Sequence, residues 1–428
     1  MALSRAMANG LRVDSLTLFL GWEVLRGCVA PTIIQWFGSG SNFFWRPGSV
    51  GDATTVLWLG VLFAAFVVTT RGLCAVAGAR SRSSSDRSAS SSSRSLVPQP
   101  LVTGPVPASV LVVLGLVGTV MRFPSIDAVL DFVTGDFFER PLENGPLVFV
   151  SASLRPLLVV GVAMVLRDRY RAGSGWRRMI PPLAIAAVFA LGSFGLNRAA
   201  ILFACLAPAL AATDRSRRAL RLGPLALVLV AIGLFFFFVG TFRSTLALER
   251  TGLDAPEIGV VPALQSVLVY AASPMQLAGA LPWAAATDAF GGASFINSLL
   301  SPLPSYPDAW REQSGVALYN HAVYHSYIGK DQLVPVWFES FLSFGWPGIV
   351  LVGVVAGMLI SFADIGRLRA RSFPAAFAAA IVAFWVTQAG CVGSYSIVQN
   401  FLYFAAPALV VLAVSRIFRR GVPHPAAS

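Results

Sequence analysis

Ten runs of mainly apolar residues, separated by short polar turns and one long polar segment, constrain this chain more than any other feature. A helix needs about 20 such residues to cross a bilayer. The runs fall at 15–37, 54–78, 105–122, 146–166, 179–195, 199–213, 224–241, 345–363, 373–395 and 398–416. Only 12% of the 428 residues are charged and 56% are hydrophobic, where a soluble domain carries about 25% charge. A water-soluble fold has no interior large enough to hide that much apolar surface, so the pattern predicts an all-α polytopic integral membrane protein with about ten transmembrane helices. The first run holds Glu23 and Arg26 and lacks a small-residue cleavage pattern, so it reads as a retained span rather than a signal peptide.

The net charge of +12 raises the question of nucleic acid. The basic residues, however, stand in short blocks between apolar runs, where they orient helices instead. With the N-terminus in the cytoplasm, 22 of the 32 basic residues fall inside, and two, Arg26 and Arg155, lie within spans. The other eight fall outside: Arg46, Arg122, Arg140, Arg198, Arg243, Arg250, Arg311 and Lys330. The bias places both termini in the cytoplasm and the chain in a cell membrane, with the lipid bilayer as a partner.

Five segments follow from this reading. Residues 1–79 hold the first two spans, and 80–104 form a Ser- and Arg-rich cytoplasmic linker without apolar periodicity. Residues 105–241 hold spans three to seven. Residues 242–344 form one long external loop, and 345–428 hold spans eight to ten and a basic tail. The stretch 259–286 is apolar enough to pass for an eleventh span. A further crossing there would export the arginines at 367, 369 and 371, so it reads as a re-entrant or interfacial helix, broken at Pro274.

The external loop is rich in aromatic residues, whose faces suit sugar rings, although an interfacial belt explains some of them. Its densest polar stretch is Tyr319-Asn-His-Ala-Val-Tyr-His-Ser-Tyr327. His321 and His325 would share one face of a helix, but no third ligand stands near enough to make a zinc site. Each can serve as a general base, as can Glu339. At the outer ends of apolar runs stand Arg198, in Gly195-Leu-Asn-Arg198, and Arg243, in Gly240-Thr-Phe-Arg243. A guanidinium fork matches phosphate oxygens, so this pair is placed to hold a pyrophosphate, the alternative being simple snorkelling. Glu23 and Arg26, three apart on one face of the first span, can pair with each other. The four cysteines show no CxxC spacing and imply neither a disulfide framework nor a metal site.

Gly-Thr-Phe-Arg243 ahead of the long loop, the Gly195-Leu-Asn-Arg198 turn, Tyr324-His-Ser-Tyr327 and Phe338-Glu-Ser-Phe-Leu-Ser-Phe-Gly-Trp-Pro-Gly348 together resemble the O-antigen and capsular polysaccharide repeat-unit polymerases (Wzy-type). More distantly they resemble the O-antigen ligases. The resemblance covers most of 180–415 and rests on short, degenerate motifs. It implies a membrane glycosyltransferase-like fold with an outward-facing cavity. The implied reaction polymerises lipid-linked oligosaccharide repeat units on the outer face of the membrane, transferring a glycan from polyprenyl pyrophosphate to a sugar hydroxyl. The partners implied are the polyprenyl-pyrophosphate-linked oligosaccharide and a chain-length regulator, with no metal or other cofactor. Catalytic candidates are His325, His321 and Glu339; substrate-binding candidates are Arg198, Arg243, Arg311, Tyr324 and Tyr327. His325 leads because Tyr324, Ser326 and Tyr327 surround it. Ligases carry a His-Asn-like pair in this loop, whereas here the order is Asn320-His321.

Two other readings compete. A different glycosyltransferase using a polyprenyl-phosphate sugar would present an acidic residue in the first external loop, where Asp52 is the candidate. A polysaccharide or lipid transporter would carry more intramembrane polar residues and an internal repeat, and no repeat is visible.

Overall fold

The computed structural model describes residues 15–29, 31, 32, 36, 49–86, 107–122, 125, 146–171, 273–303, 305–324, 334–369, 373–402, 406, 407 and 410. Among the described residues the regular elements are helices, with no strand. In chain order they begin with α1 (Ser15–Val24), a π-helical turn (Leu25–Val29), α2 (Val50–Asp86), α3 (Ala108–Arg122), α4 (Pro146–Leu154) and α5 (Pro156–Arg171). Six short helices follow: α6 (Ser273–Ala278), α7 (Ala280–Thr287), α8 (Gly292–Leu300), α9 (Asp308–Arg311), α10 (Gly315–Tyr324) and α11 (Val336–Phe344). The chain continues with α12 (Trp346–Arg369), α13 (Phe373–Thr387), a 3-10 turn (Gln388–Gly390) and α14 (Ser394–Asn400). The expected spans 179–195, 199–213 and 224–241 lie outside the described residues, as do most of 398–416 and most of the linker. The helix α2 runs on to Asp86, seven residues into the segment read as linker.

Among the described residues, two helices are long and apolar enough to cross a membrane, Val50–Ala77 and Trp346–Gly366. At 1.5 Å per residue, the first is about 42 Å long and the second about 32 Å, the length of a hydrocarbon core or more. On α2, Val56, Leu59, Phe63 and Val67 are fully buried, while Trp58, Val61 and Leu73 are exposed. One stripe therefore meets protein, and the opposite apolar face needs lipid or another apolar cover.

The chain divides into two compact units, the first comprising residues 1–92, 218–362 and 385–399 and the second comprising 93–217, 363–384 and 400–428. In the first, α12 packs on α2 through Gly353 and Gly357. A Cβ at Gly353 would come within 2.7 Å of Phe66 Cβ, and one at Gly357 within 2.8 Å of Thr70 Cβ. Apolar tails surround a membrane helix as well as any leucine does, so close backbone approach through small residues is what holds such helices together. A leucine at either glycine would prise the pair apart. Phe63 lies edge-on to Phe19 of α1, with ring centroids 5.7 Å apart, and is stacked on Trp337 of α11 at 6.2 Å. The short helices are packed as well: α6 and α11 lie against α2, and α8 and α10 lie against α11. Within the stretch 259–286 the helix break falls at Gly279. Pro274, expected to mark a break, lies in α6, and residues 259–272 before it lie outside the described residues.

Gly345 ends α11 at φ 66°, and its N–H donates to the Phe341 carbonyl at 2.7 Å. A side chain would be strained at that φ. Pro347 then opens the first turn of α12. This Gly-Trp-Pro turn lets two helices follow each other without a linker.

In the second unit, α3 packs on α4 and α5 through Gly115 and Gly118. A Cβ at Gly115 would collide with the Leu158 backbone, and one at Gly118 would lie 2.6 Å from Leu154 Cβ. Buried Ser151 donates to the Gly118 carbonyl at 2.9 Å. The run 146–166, expected as one span, is two helices with a turn at Arg155. Pro156 lacks an N–H and disfavours helical geometry at the residue before it.

Candidate functional site

The described chemistry gathers where α8, α10 and α11 meet the stretch after α13. α11 begins after Pro335, and its first turn carries Glu339 inward. The residue is fully buried. Its Oε2 accepts the Ser394 backbone N–H at 3.1 Å and the Ser394 hydroxyl at 2.7 Å. Its Oε1 has no hydrogen-bond partner and faces Gly315, where a Cβ would lie 2.6 Å away. The first residue of α10 must therefore be glycine for the carboxyl to fit. A backbone bond from Val336 N–H to the Val392 carbonyl, 3.1 Å long, fastens the same two segments together. Burial pushes the Glu339 carboxyl above its ordinary value of 4.5; the nearby Ser298 and Ser394 hydroxyls and the Ser394 N–H oppose that rise.

His321 lies on α10 and is half-buried. Its ring meets that of Trp283 edge-on, with centroids 5.7 Å apart, and Trp283 in turn meets Phe290 at 5.9 Å. Gly315, where α10 meets Glu339, and His321 are six residues apart, about 9 Å along the helix axis. The two candidate bases therefore lie at different levels of α10. Tyr324 is the last residue of α10, and His325, Tyr327, Arg198 and Arg243 lie outside the described residues.

Arg311 closes α9. It donates from Nη1 to Asp308 at 3.2 Å and from Nη2 to the Leu303 carbonyl at 2.9 Å, so two of its five donors brace its own turn. Beside it, Tyr306 donates to Asn297 Oδ1 at 2.6 Å and meets the exposed Trp310 edge-on at 5.6 Å. Asp52 forms a reciprocal cap on α2. Its Oδ2 accepts from the Ser49 N–H at 3.1 Å and the Ser49 hydroxyl at 2.6 Å, and its own N–H donates to Ser49 Oγ at 3.0 Å. Among the described residues, no group of three His, Cys, Asp or Glu side chains is placed to hold a metal ion.

A second polar cluster lies where α1 meets the 3-10 turn after α13. Arg26, in the π-helical turn, is 3% exposed. It does not bond to Glu23, the partner its sequence spacing offered. Its Nη1 donates to the Gly390 carbonyl, which Trp337 Nε1 also approaches at 3.4 Å. Arg26 Nε and Nη2, Glu23 Oε1 and Gln388 Nε2 are shielded and have no hydrogen-bond partner. Residue spacing alone missed Gln388 and Gly390. The legible signal was the run Gln388-Ala-Gly-Cys-Val-Gly393, which is unusually polar and glycine-rich for the end of an apolar span. Compared with protein-family models, curated proteins and solved structures, the chain matches none of them.

Proposed function

We propose that this protein is a multi-pass membrane glycosyltransferase that polymerises lipid-linked oligosaccharide repeat units on the outer face of a bacterial cytoplasmic membrane. It crosses about ten times with both termini in the cytoplasm, and 242–344 is its external segment. The observation that carries the reading is the state of that segment. Its described part is a set of packed helices rather than a loose connection. Long connections in a compact fold are commonly either functional or disordered, and the packing of these helices argues for the first.

The reaction needs three things. A phosphate-binding group must stabilise the leaving pyrophosphate, a role we give to Arg198 and Arg243. Aromatic faces must hold sugar rings, and Trp283, Tyr306 and Trp310 support this in the described part. A base must take the proton of the attacking hydroxyl, which lowers the barrier by about 10²–10⁴-fold in rate. We give that role first to His325, with His321 and Glu339 as the other candidates. The full burial of Glu339 and the two bonds from Ser394 favour a histidine, because a base has to reach the substrate.

The test is polymerisation in membranes supplied with lipid-linked repeats, comparing His325→Ala, His321→Ala, Glu339→Gln and Arg243→Lys at matched protein level. His325→Ala and Arg243→Lys should each shorten or abolish polymer. Wild-type polymer from every one of the four would overturn the assignment. Orientation is tested separately with single cysteines at Ser90 and at exposed Gln313 in a cysteine-free background. An impermeant thiol reagent added to intact cells should label Gln313→Cys and spare Ser90→Cys.

A further inference from the structure

We infer that the free edge of the Arg26 guanidinium, with the Gln388 amide, binds a phosphate group within the apolar core of the first unit. The inference deepens the proposed function and rests on it for the identity of the phosphate ester. Two helix interruptions meet here: the π-helical turn Leu25–Val29 and the 3-10 turn Gln388–Gly390. Such interruptions recur at functional sites, and irregular backbone at membrane depth is tolerated where it is buried in protein or lines a cavity. A charged side chain in such a place is expensive and marks function by default.

The pattern of satisfied and unsatisfied atoms gives the ligand class. Arg26 is anchored through Nη1 on the Gly390 carbonyl, and the buried Cys391 thiol lies beside its guanidinium. Nε and Nη2 remain, and both lack partners. In a guanidinium these two N–H groups form one edge and point in parallel, the arrangement that takes two oxygens of a phosphate or carboxylate at once. Gln388, two residues before Gly390 in the 3-10 turn, is 94% buried and contributes a further unpartnered N–H donor at Nε2. Three donors suit a tetrahedral phosphate better than a planar carboxylate.

A carboxylate is already near, in Glu23, and its Oε1 is also unbonded. The two side chains are electrostatic neighbours without a hydrogen bond between them, and the Gly390 backbone lies against both. Its carbonyl takes Arg26, and Glu23 packs so closely on its Cα that a Cβ there would collide with Oε1. A side chain at 390 would therefore displace the Glu23 carboxyl. Glu23, whose Oε1 is shielded and unbonded, is the side chain that has to give way when a ligand enters.

The experiment uses the full-length protein in detergent micelles, with binding read by native mass spectrometry and by titration. Three probes separate the sources of phosphate: farnesyl phosphate for a polyisoprenyl ester, phosphatidylglycerol for a bulk lipid headgroup, and inorganic phosphate. Farnesyl phosphate should bind most tightly to the wild type. Arg26→Lys keeps the charge and loses the edge, and should weaken binding by about tenfold or more. Gln388→Leu should weaken it by less, and Glu23→Gln should bind at least as tightly as the wild type. Equal binding of phosphatidylglycerol, with the same dependence on Arg26, would support the phosphate site while removing its link to polymerisation. Wild-type binding of all three probes by both Arg26→Lys and Gln388→Leu overturns the proposal. So does loss of binding in Glu23→Gln, which would make the cluster a local ion pair. Gln388→Leu carries no change of charge, so it remains readable if Arg26→Lys fails to fold.

Discussion

Glu339 and Arg26 are both ionisable, both almost wholly buried in the same unit, and opposite in how their surroundings treat them. Glu339 receives two bonds from Ser394 on one oxygen and is boxed by Gly315 on the other. Arg26 is anchored at one nitrogen, with two others left bare. A buried polar group that is well bonded stabilises a fold, because removing it orphans its partners. A buried charge that is poorly bonded destabilises the fold and persists for another reason. The difference separates a group that joins segments from one held ready for a ligand.

The comparison breaks first at Glu339. Glu339→Met retains the volume but leaves the Ser394 N–H and hydroxyl without an acceptor, which should destabilise the protein by about 2–3 kcal/mol. Thermal unfolding in micelles, followed by loss of the monodisperse peak, reads this as a clear fall in Tm.

The pH dependence of the same group is the next largest effect. Burial raises the Glu339 carboxyl above 4.5, so between that value and its folded one the native state binds more protons than the unfolded state. Its contribution is complete below pH about 4.5 and is lost as pH rises through the folded value, at up to about 1.4 kcal/mol per pH unit. Glu339→Gln should flatten that part of the Tm–pH curve. An unchanged slope would mean that the carboxyl is not the titrating group.

Arg311 supplies an intermediate case, with partners that are local and partly in water. Its ion pair is with Asp308, whose side chain is 85% exposed, and such pairs contribute about 0–1 kcal/mol. Arg311→Met should therefore lower stability by about 1 kcal/mol or less. A larger fall would mean that the 301–311 turn supports more of the fold than its local bonds indicate.

Arg26→Met should have the smallest effect, close to zero or slightly stabilising, because an apolar side chain replaces a charge whose donors are mostly unmatched. The Gly390 carbonyl keeps Trp337 Nε1 nearby. A loss as large as that of Glu339→Met would erase the distinction and make Arg26 a structural residue.

Hydrophobic run length made much of the helical framework legible. The runs 54–78, 105–122, 345–363 and 373–395 each overlap one helix, α2, α3, α12 and α13, with ends that differ by up to eight residues, because apolar composition marks a helix more sharply than it marks its ends. Gly353 and Gly357 were visible as residues, but not as the contact between α12 and α2. Glu339 was visible as a carboxyl near the entry to α12. Its burial was not, since nothing local to Val336–Phe344 indicates that Ser394, 55 residues on, closes over it.

The sequence by itself determined that this chain is largely apolar and that its described elements are helices, and roughly where the long ones lie, because hydropathy and helix-breaking residues act over a few neighbours. Only the tertiary structure decided which buried charges are matched. Glu23 and Arg26 stand three residues apart, the spacing at which a regular helix pairs them. Arg26 instead donates to the backbone of a glycine 364 residues away, and its contact with Glu23 is electrostatic only. Hydrogen bonding depends on distance and direction between segments remote in the chain, and neither is encoded in local pattern.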